Sequence, residues 1–190
     1  RVTVLTPTWN RARLLSQTIE SVLGQTFGDF EYVIMNDGST DETEELLAQY
    51  ARRDERIVVL NNSHVGLQET WELLFSMVEG EYVAYLSDDD LWDSTFLEKA
   101  VQVLDSDEGI VVAYADYKNL IDGKLVPAPE PRRCNLNQEH LNYGCFISMC
   151  LSLIRRKNLD ALWLLKEFCF DPIGGSARSN IFMMRSRASP

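Results

Sequence analysis

No run of 18 or more uncharged apolar residues occurs in these 190 residues, so no part of the chain reads as a transmembrane helix. The four cysteines, at 134, 145, 150 and 169, form no C-x-x-C pair, and they read as reduced core thiols of a cytosolic protein. The two histidines, His64 and His140, lack the spacing of metal ligands or of a catalytic triad. Both are expected to be ordinary, with His64 at most near a site. There is no P-loop. The segment GGSARS (174–179) lacks the G-x-G-x-x-G spacing and a clear preceding strand, so it is no phosphate fingerprint. Internal repeats and low-complexity segments are also missing. Basic residues are scarce: 18 Lys and Arg stand against 29 Asp and Glu, for a net charge of −11. An acidic chain is a poor general binder of nucleic acid, where phosphate neutralisation drives affinity.

With 45% apolar and 25% charged residues, the chain suits one globular domain with a real core. Charge is unevenly spread. The acids crowd residues 1–120, whereas residues 121–190 carry more Lys and Arg than acids. The basic part suits an anionic substrate, peripheral contact with a membrane surface, or simply a solvated face. The opening RVTVLTPTWN reads as a strand entering a loop and not as a leader peptide.

Apolar runs alternate with helical periodicity through residue 117. VTVL (2–5), FEYVIM (30–35), IVVL (57–60), YVAYL (82–86) and IVVAYA (110–115) read as strands. Between them, Leu14–Leu15–Ile19–Val22–Leu23, Leu67–Trp71–Leu74–Phe75–Val78 and Phe96–Leu97–Ala100–Val101–Leu104 give helical stripes. Ser39 and Glu42 fit an S-x-x-E capping box for the helix after the second strand. Near-continuous apolar strands alternating with helices predict an open, mostly parallel α/β sheet with helices on both faces. Further on, LVPAPEPRR (125–133) reads as a loop, FISMCLSLI (146–154) as a strand and LDALWLLKEF (159–168) as a helix.

In such sheets ligands bind outside the carboxyl ends of the strands. Four polar loops fall there: Thr6 to Arg11, Asn36 to Gly38, Asn61 to Gly66, and Asp88 to Asp90. The last is the oddest, an apolar strand running into three consecutive carboxylates. Their mutual repulsion requires solvent or a cation. A hard divalent cation such as Mg²⁺ or Mn²⁺ would suit them, and so would a helix N-terminus with its positive dipole end. Asp37 could accept a hydrogen bond from the N–H edge of a base. In its N-D-G-S setting it could equally be turn chemistry.

Taken together, VTVLTPTWNRARLLSQTIESVLGQTFGDFEYVIMNDGSTDET closely resembles the opening of family 2 glycosyltransferases, which have the GT-A fold, and EGEYVAYLSDDDLW resembles their D-x-D region. The resemblance covers residues 2–117. It implies a Rossmann-like nucleotide-sugar-binding half in residues 1–120 and an acceptor-side segment of the same domain in 121–190. It also implies a nucleotide-sugar donor, Mn²⁺ or Mg²⁺, inversion at the anomeric carbon, and a saccharide or lipid-linked acceptor in bacterial cell-envelope polysaccharide synthesis. By the same resemblance Pro7 and Trp9 wall the nucleobase and Asp37 contacts it. Asp88 lies near the ribose and diphosphate. Asp89 holds the metal, and Asp90 follows as a second, weaker ligand. UDP is the favoured nucleotide, because a carboxylate acceptor matches the uracil imide N–H.

The sequence departs from the family pattern in three places. Ser87 stands where many members have the first Asp of D-x-D. GLQETWELL replaces the usual G-x-x-x-A-R-N after the third strand, with Trp71 near the place of the Arg. FCFD (168–171) resembles the family's F-D pair, yet no acid follows Asp171. The expected catalytic base is therefore Asp171, with Glu167 the other acid nearby, and slow transfer is expected of the chain as given. Two rival readings are a sugar nucleotidyltransferase and a non-catalytic module that binds sugar nucleotides.

Overall fold

The computed structural model describes residues 1–121, 124–127, 149–159 and 176–185. The elements run β1 (Val2–Thr8), α1 (Ala12–Leu23), β2 (Phe30–Asp37), α2 (Thr43–Arg53), β3 (Ile57–Asn62), α3 (Leu67–Ser76), β4 (Tyr82–Tyr85), α4 (Phe96–Asp105), β5 (Ile110–Ile121), β6 (Lys124–Pro127), β7 (Ser152–Arg155) and β8 (Ser176–Arg185). All of the strands join one sheet in the order β3-β2-β1-β4-β7-β5-β6, with β8 also on β5.

The apolar runs explain this order. Every residue of β1 and β2 is buried, as expected of central strands covered on both faces. β3 lies at the sheet edge, and its burial is correspondingly patchy. Alternate side chains feed two cores. Val2, Val4, Tyr32, Ile34 and Ala84 meet Leu15, Ile19 and Val22 of α1, Leu47 of α2 and Leu97, Ala100 and Leu104 of α4. Leu5, Val33, Met35 and Val83 point the other way, to Leu74 of α3. Among the described residues, α1, α2 and α4 thus cover one face and α3 the other.

The expected parallel ladder is confined to β3, β2, β1 and β4. Helical crossovers enforce it, since parallel neighbours need a long connection. The second half of the sheet is antiparallel. β5 does not pair with β4, because β7 lies between them. Ile154 sits opposite Val83 on one side and Val112 on the other. Only two residues separate β5 from β6, so the two form an antiparallel hairpin. Residues 124–127 are therefore strand, where a loop was expected from 125. Of the strand expected over 146–154, residues 146–148 lie outside the described residues, Met149–Leu151 form a 3₁₀ turn, and the strand β7 begins at Ser152. The helix expected at 159–168 lies outside the described residues from 160 on.

The capping box does not form. α2 begins at Thr43, and Glu42 makes no side-chain cap bond. Ser39 is engaged elsewhere: its Oγ accepts the Asn10 N–H at 2.8 Å, and its own N–H donates to Asn36 Oδ1 at 3.0 Å. Asp41 takes over the start of the helix, accepting the Thr43 N–H at 3.0 Å and the Ala12 N–H at 3.2 Å. A local signal yields here to a tie between loops.

Arg155 locks β7 into place. It is buried, with Nε donating to Ile110 O at 2.8 Å and Nη1 to the Tyr82 hydroxyl at 3.2 Å. Its Nη2 donates to the carbonyls of Leu104 and, at 3.3 Å, Asp107. One guanidinium thus joins β4, α4 and β5. Arg155→Ala is expected to destabilise the fold by at least about 1–3 kcal/mol, the cost of leaving buried carbonyl acceptors without a partner. Arg155→Lys is expected to recover only part of this, because a single ammonium cannot reproduce the planar fork. Urea denaturation of the three proteins measures it.

Candidate functional site

Because β1, β2, β3 and β4 run parallel, their carboxyl ends share one edge of the sheet. The four polar loops converge there, and a dense set of side-chain bonds ties them together.

Asp37 ends β2. It is 4% exposed. Its Oδ1 accepts the Val65 N–H at 2.9 Å, and Oδ2 accepts the Gly66 N–H at 3.0 Å. His64 Nδ1 lies 2.9 Å from Oδ2 and 3.1 Å from the Asp37 carbonyl oxygen. Burial pushes the Asp37 carboxyl up, but the two backbone N–H groups and His64 outweigh it and hold the carboxyl below its ordinary value. The loop after β3 is thus pulled against the end of β2. Two glycines permit this. Gly38 has φ +70, and a Cβ there would come within 2.6 Å of the His64 backbone nitrogen. Gly66 has φ +96, in the region that side chains rarely adopt.

The loop after β1 faces this clamp. Pro7 is a buried residue of β1, in register with Met35. Trp9 is 49% exposed and stacks on His64, with centroids 4.5 Å apart and 21° between the rings. Asn10 has φ 53, a left-handed conformation that Asn tolerates. Its Oδ1 accepts the N–H groups of Thr40 at 2.6 Å and Asp41 at 3.3 Å. The result is a wall of two stacked rings held by the loops after β1, β2 and β3.

The three consecutive acids have three different surroundings. Asp88 accepts the Thr8 hydroxyl at 2.8 Å. Burial pushes its carboxyl up, the Thr8 bond and Arg11 pull it down, and the Asp89 charge raises it again, with a net upward shift. Asp89 pairs with Arg11, Nη1 to Oδ2 at 2.9 Å. Asp90 is 7% exposed, and its backbone oxygen accepts the Thr18 hydroxyl at 3.0 Å. Its carboxylate borders Cys150, whose thiol is pushed up to about 12, first by burial and then by the Asp90 charge. Asp90, expected as a weaker metal ligand, therefore occupies a buried position unlike that of Asp89. The Thr8 hydroxyl at Asp88 and the Arg11 guanidinium at Asp89 offset part of the repulsion within the tripeptide.

Ser87, standing where many relatives have an acid, has a different task. Its Oγ lies 2.9 Å from the Tyr85 hydroxyl and 3.1 Å from Cys150 Sγ. The Trp92 indole N–H donates to Cys150 O at 2.7 Å, which fixes the segment behind the loop. Trp71 is buried against Tyr85, with ring centroids 4.0 Å apart, and its indole N–H has no partner among the described residues. Glu167 and Asp171 lie outside the described residues.

Among the described residues no group of three or more His, Cys, Asp or Glu is arranged to hold a metal. A Mg²⁺ or Mn²⁺ ion bound through one or two carboxylates and completed by substrate phosphates needs no such group. Asp89 fits that donor set: it is half-exposed, an oxygen donor, and already paired with a cation. Arg11 is a site residue that sequence reasoning passed over, and His64, expected at most near a site, is part of it. Arg11 sits in the first polar loop, but its partner is 78 residues away. His64 carries no motif, and only the approach of β3 to β2 brings it to Asp37.

A mixed α/β sheet with this edge, an aromatic wall at one side and an acidic tripeptide at the other, defines a GT-A-type protein. A family model described as glycosyl transferase family 2 matches residues 3–163, and the chain belongs to that family. It is 31% identical over 154 residues to the putative teichuronic acid biosynthesis glycosyltransferase TuaG of Bacillus subtilis (strain 168), covering 78% of this chain and 61% of that one. The chain thus spans less than two thirds of that relative. Among solved structures, S. aureus TarS 1–349 in complex with UDP-GlcNAc superposes over 100% of this chain and 59% of its own, with a TM-score of 0.72 and 18% identity. The mannosyltransferase PcManGT from Pyrobaculum calidifontis, in complex with GDP-Man and Mn²⁺, covers 85% of this chain and 46% of its own, with a TM-score of 0.64 and 21% identity.

Proposed function

We propose that this chain transfers a sugar from a nucleotide-sugar donor, UDP-linked by preference, to an acceptor hydroxyl with inversion and with help from Mn²⁺ or Mg²⁺. The observation that carries this reading is the joining of the Trp9–His64 wall, the Asp37 clamp and the Asp88–Asp89 carboxylates at one sheet edge. The nucleotide complexes of TarS and PcManGT support it, and so does the Mn²⁺ of the latter.

In this reading the base stacks on the Trp9 side of the wall. Asp37 takes the uracil imide N–H, because a carboxylate has acceptor capacity beyond the two backbone N–H groups it already holds. Asp88, oriented by Thr8, accepts a ribose hydroxyl. Asp89 would hold the divalent ion, which when bound neutralises charge on the departing diphosphate. Asp171, or failing it Glu167, would remove the acceptor proton. The acceptor would be a saccharide, free or lipid-linked, of a bacterial envelope polymer, a class supported by the teichuronic acid relative. A cytoplasmic setting accords with the free thiol of Cys150.

A thermal-shift screen of UDP, GDP, dTDP and CMP, each with and without Mn²⁺, tests the donor class. UDP with Mn²⁺ is expected to give the largest rise in Tm; saturation at 100 times Kd is worth about 2.7 kcal/mol. A flat response to all four nucleotides would remove the reading. Release of UDP from UDP-sugars then separates transfer or hydrolysis from binding without turnover.

A further inference from the structure

Arg11 immediately precedes α1, yet it makes no side-chain cap bond to that helix. Its guanidinium instead crosses from the β1 loop to the β4 loop and takes Asp89 Oδ2 at 2.9 Å. Arg11 and Asp89 are 46% and 38% exposed, so the pair is open to exchange. The same guanidinium also draws down the neighbouring Asp88 carboxyl. The carboxylate best placed for a metal ion is therefore already covered by the protein's own cation.

We propose that Arg11 is a positioning residue that makes metal uptake conditional on the nucleotide. A dication and a guanidinium repel each other, so a metal that takes Asp89 must displace Arg11. In the free protein the displaced guanidinium has lost its carboxylate and lies beside a second positive charge, which opposes uptake. A nucleoside diphosphate reverses the balance. Its oxygens complete the coordination of the metal, and they also offer the displaced guanidinium a planar, charge-assisted partner. Metal and nucleotide then favour one another, and by linkage the coupling is reciprocal. The proposal rests on the donor reading given above.

The test measures Mn²⁺ binding by electron paramagnetic resonance of the free ion, with and without UDP, independently of turnover. The parent is expected to take up Mn²⁺ weakly alone and more tightly with UDP. Arg11→Gln removes the charge and keeps a polar side chain. It is expected to bind Mn²⁺ alone at least about threefold more tightly, in line with loss of an exposed ion pair, and to show a smaller enhancement by UDP. The difference from the parent should shrink as salt rises. Arg13→Gln, an equal change of charge at an exposed position of the same helix, is expected to behave as the parent. Equal uptake of Mn²⁺ alone by Arg11→Gln and the parent would overturn the proposal, as would equal tightening by Arg13→Gln. Failure of the parent to bind UDP and Mn²⁺ together would instead remove the donor reading, and this proposal with it.

Discussion

Asp89→Asn is expected to abolish the Mn²⁺-dependent part of UDP binding and to leave the fold intact. The substitution keeps shape and removes the charge that a hard cation requires. Its partner Arg11 is half-exposed, and an exposed ion pair is worth about 0–1 kcal/mol, so little stability goes with it. The loss of Mn²⁺ enhancement should be at least tenfold, or about 1.4 kcal/mol. Asp90→Asn should show the opposite pattern. It perturbs a buried carboxylate beside Cys150, so it should lower Tm while Mn²⁺ enhancement persists. Calorimetric titration of UDP with and without Mn²⁺, paired with melting curves, reads both effects. Identical Mn²⁺-dependent binding by Asp89→Asn and the parent would discard Asp89 as the ligand.

Asp37→Ala is expected to weaken UDP binding tenfold or more, with or without metal. Two losses combine. A hydrogen bond to a charged acceptor contributes about 1.5–3 kcal/mol, and the imide N–H would lose one. The N–H groups of Val65 and Gly66 would lose theirs too, releasing the loop that carries His64 against Trp9. Asp37→Asn keeps one acceptor oxygen and should fall between Ala and the parent. Because the folded protein holds the Asp37 carboxyl below its ordinary value, its contribution to stability is present above the usual carboxylate range. It is lost as pH falls through the lowered value. The parent should therefore lose more stability on acidification than Asp37→Asn does. Unchanged UDP affinity in Asp37→Ala would take this residue out of the site.

The half of the sheet that can be read in sequence is the half whose strands are long, apolar and separated by helices. Val2–Thr8 and Phe30–Asp37 are buried throughout, and their short length and β-branched and aromatic content favour strand over a buried helix. The antiparallel half is hidden for physical reasons. β7 has only four residues, and its place is set by partners about 70 and 40 positions away. β6 begins at Lys124 within a stretch ending in prolines, and its pairing to β5 overrides that composition. In the site, Asp37 and Asp88 to Asp90 stand out because each follows an apolar strand. What each carboxylate does depends on neighbours the sequence does not place beside it. Asp89 meets Arg11, Asp90 meets Cys150, and Asp37 meets Val65 and Gly66. Ser87 looks like a lost ligand in sequence; in the fold it is a hydroxyl that fits a buried thiol and a phenol.

The insertion of β7 between β4 and β5 also bears on how the chain is made. A ribosome delivers β1 through β5 long before Ser152–Arg155 emerges. In the finished sheet β4 pairs with β1 on one side and β7 on the other, so before β7 emerges that second edge lacks its final partner. The nascent chain therefore carries an open, apolar strand edge next to the Asp88–Asp90 loop, the kind of edge that recruits stray partners. Closure waits for a contact of long sequence separation, which slows folding. The strand that seals β4 comes from beyond residue 150, so a fragment ending near residue 120 would keep β1 through β4 but expose that edge.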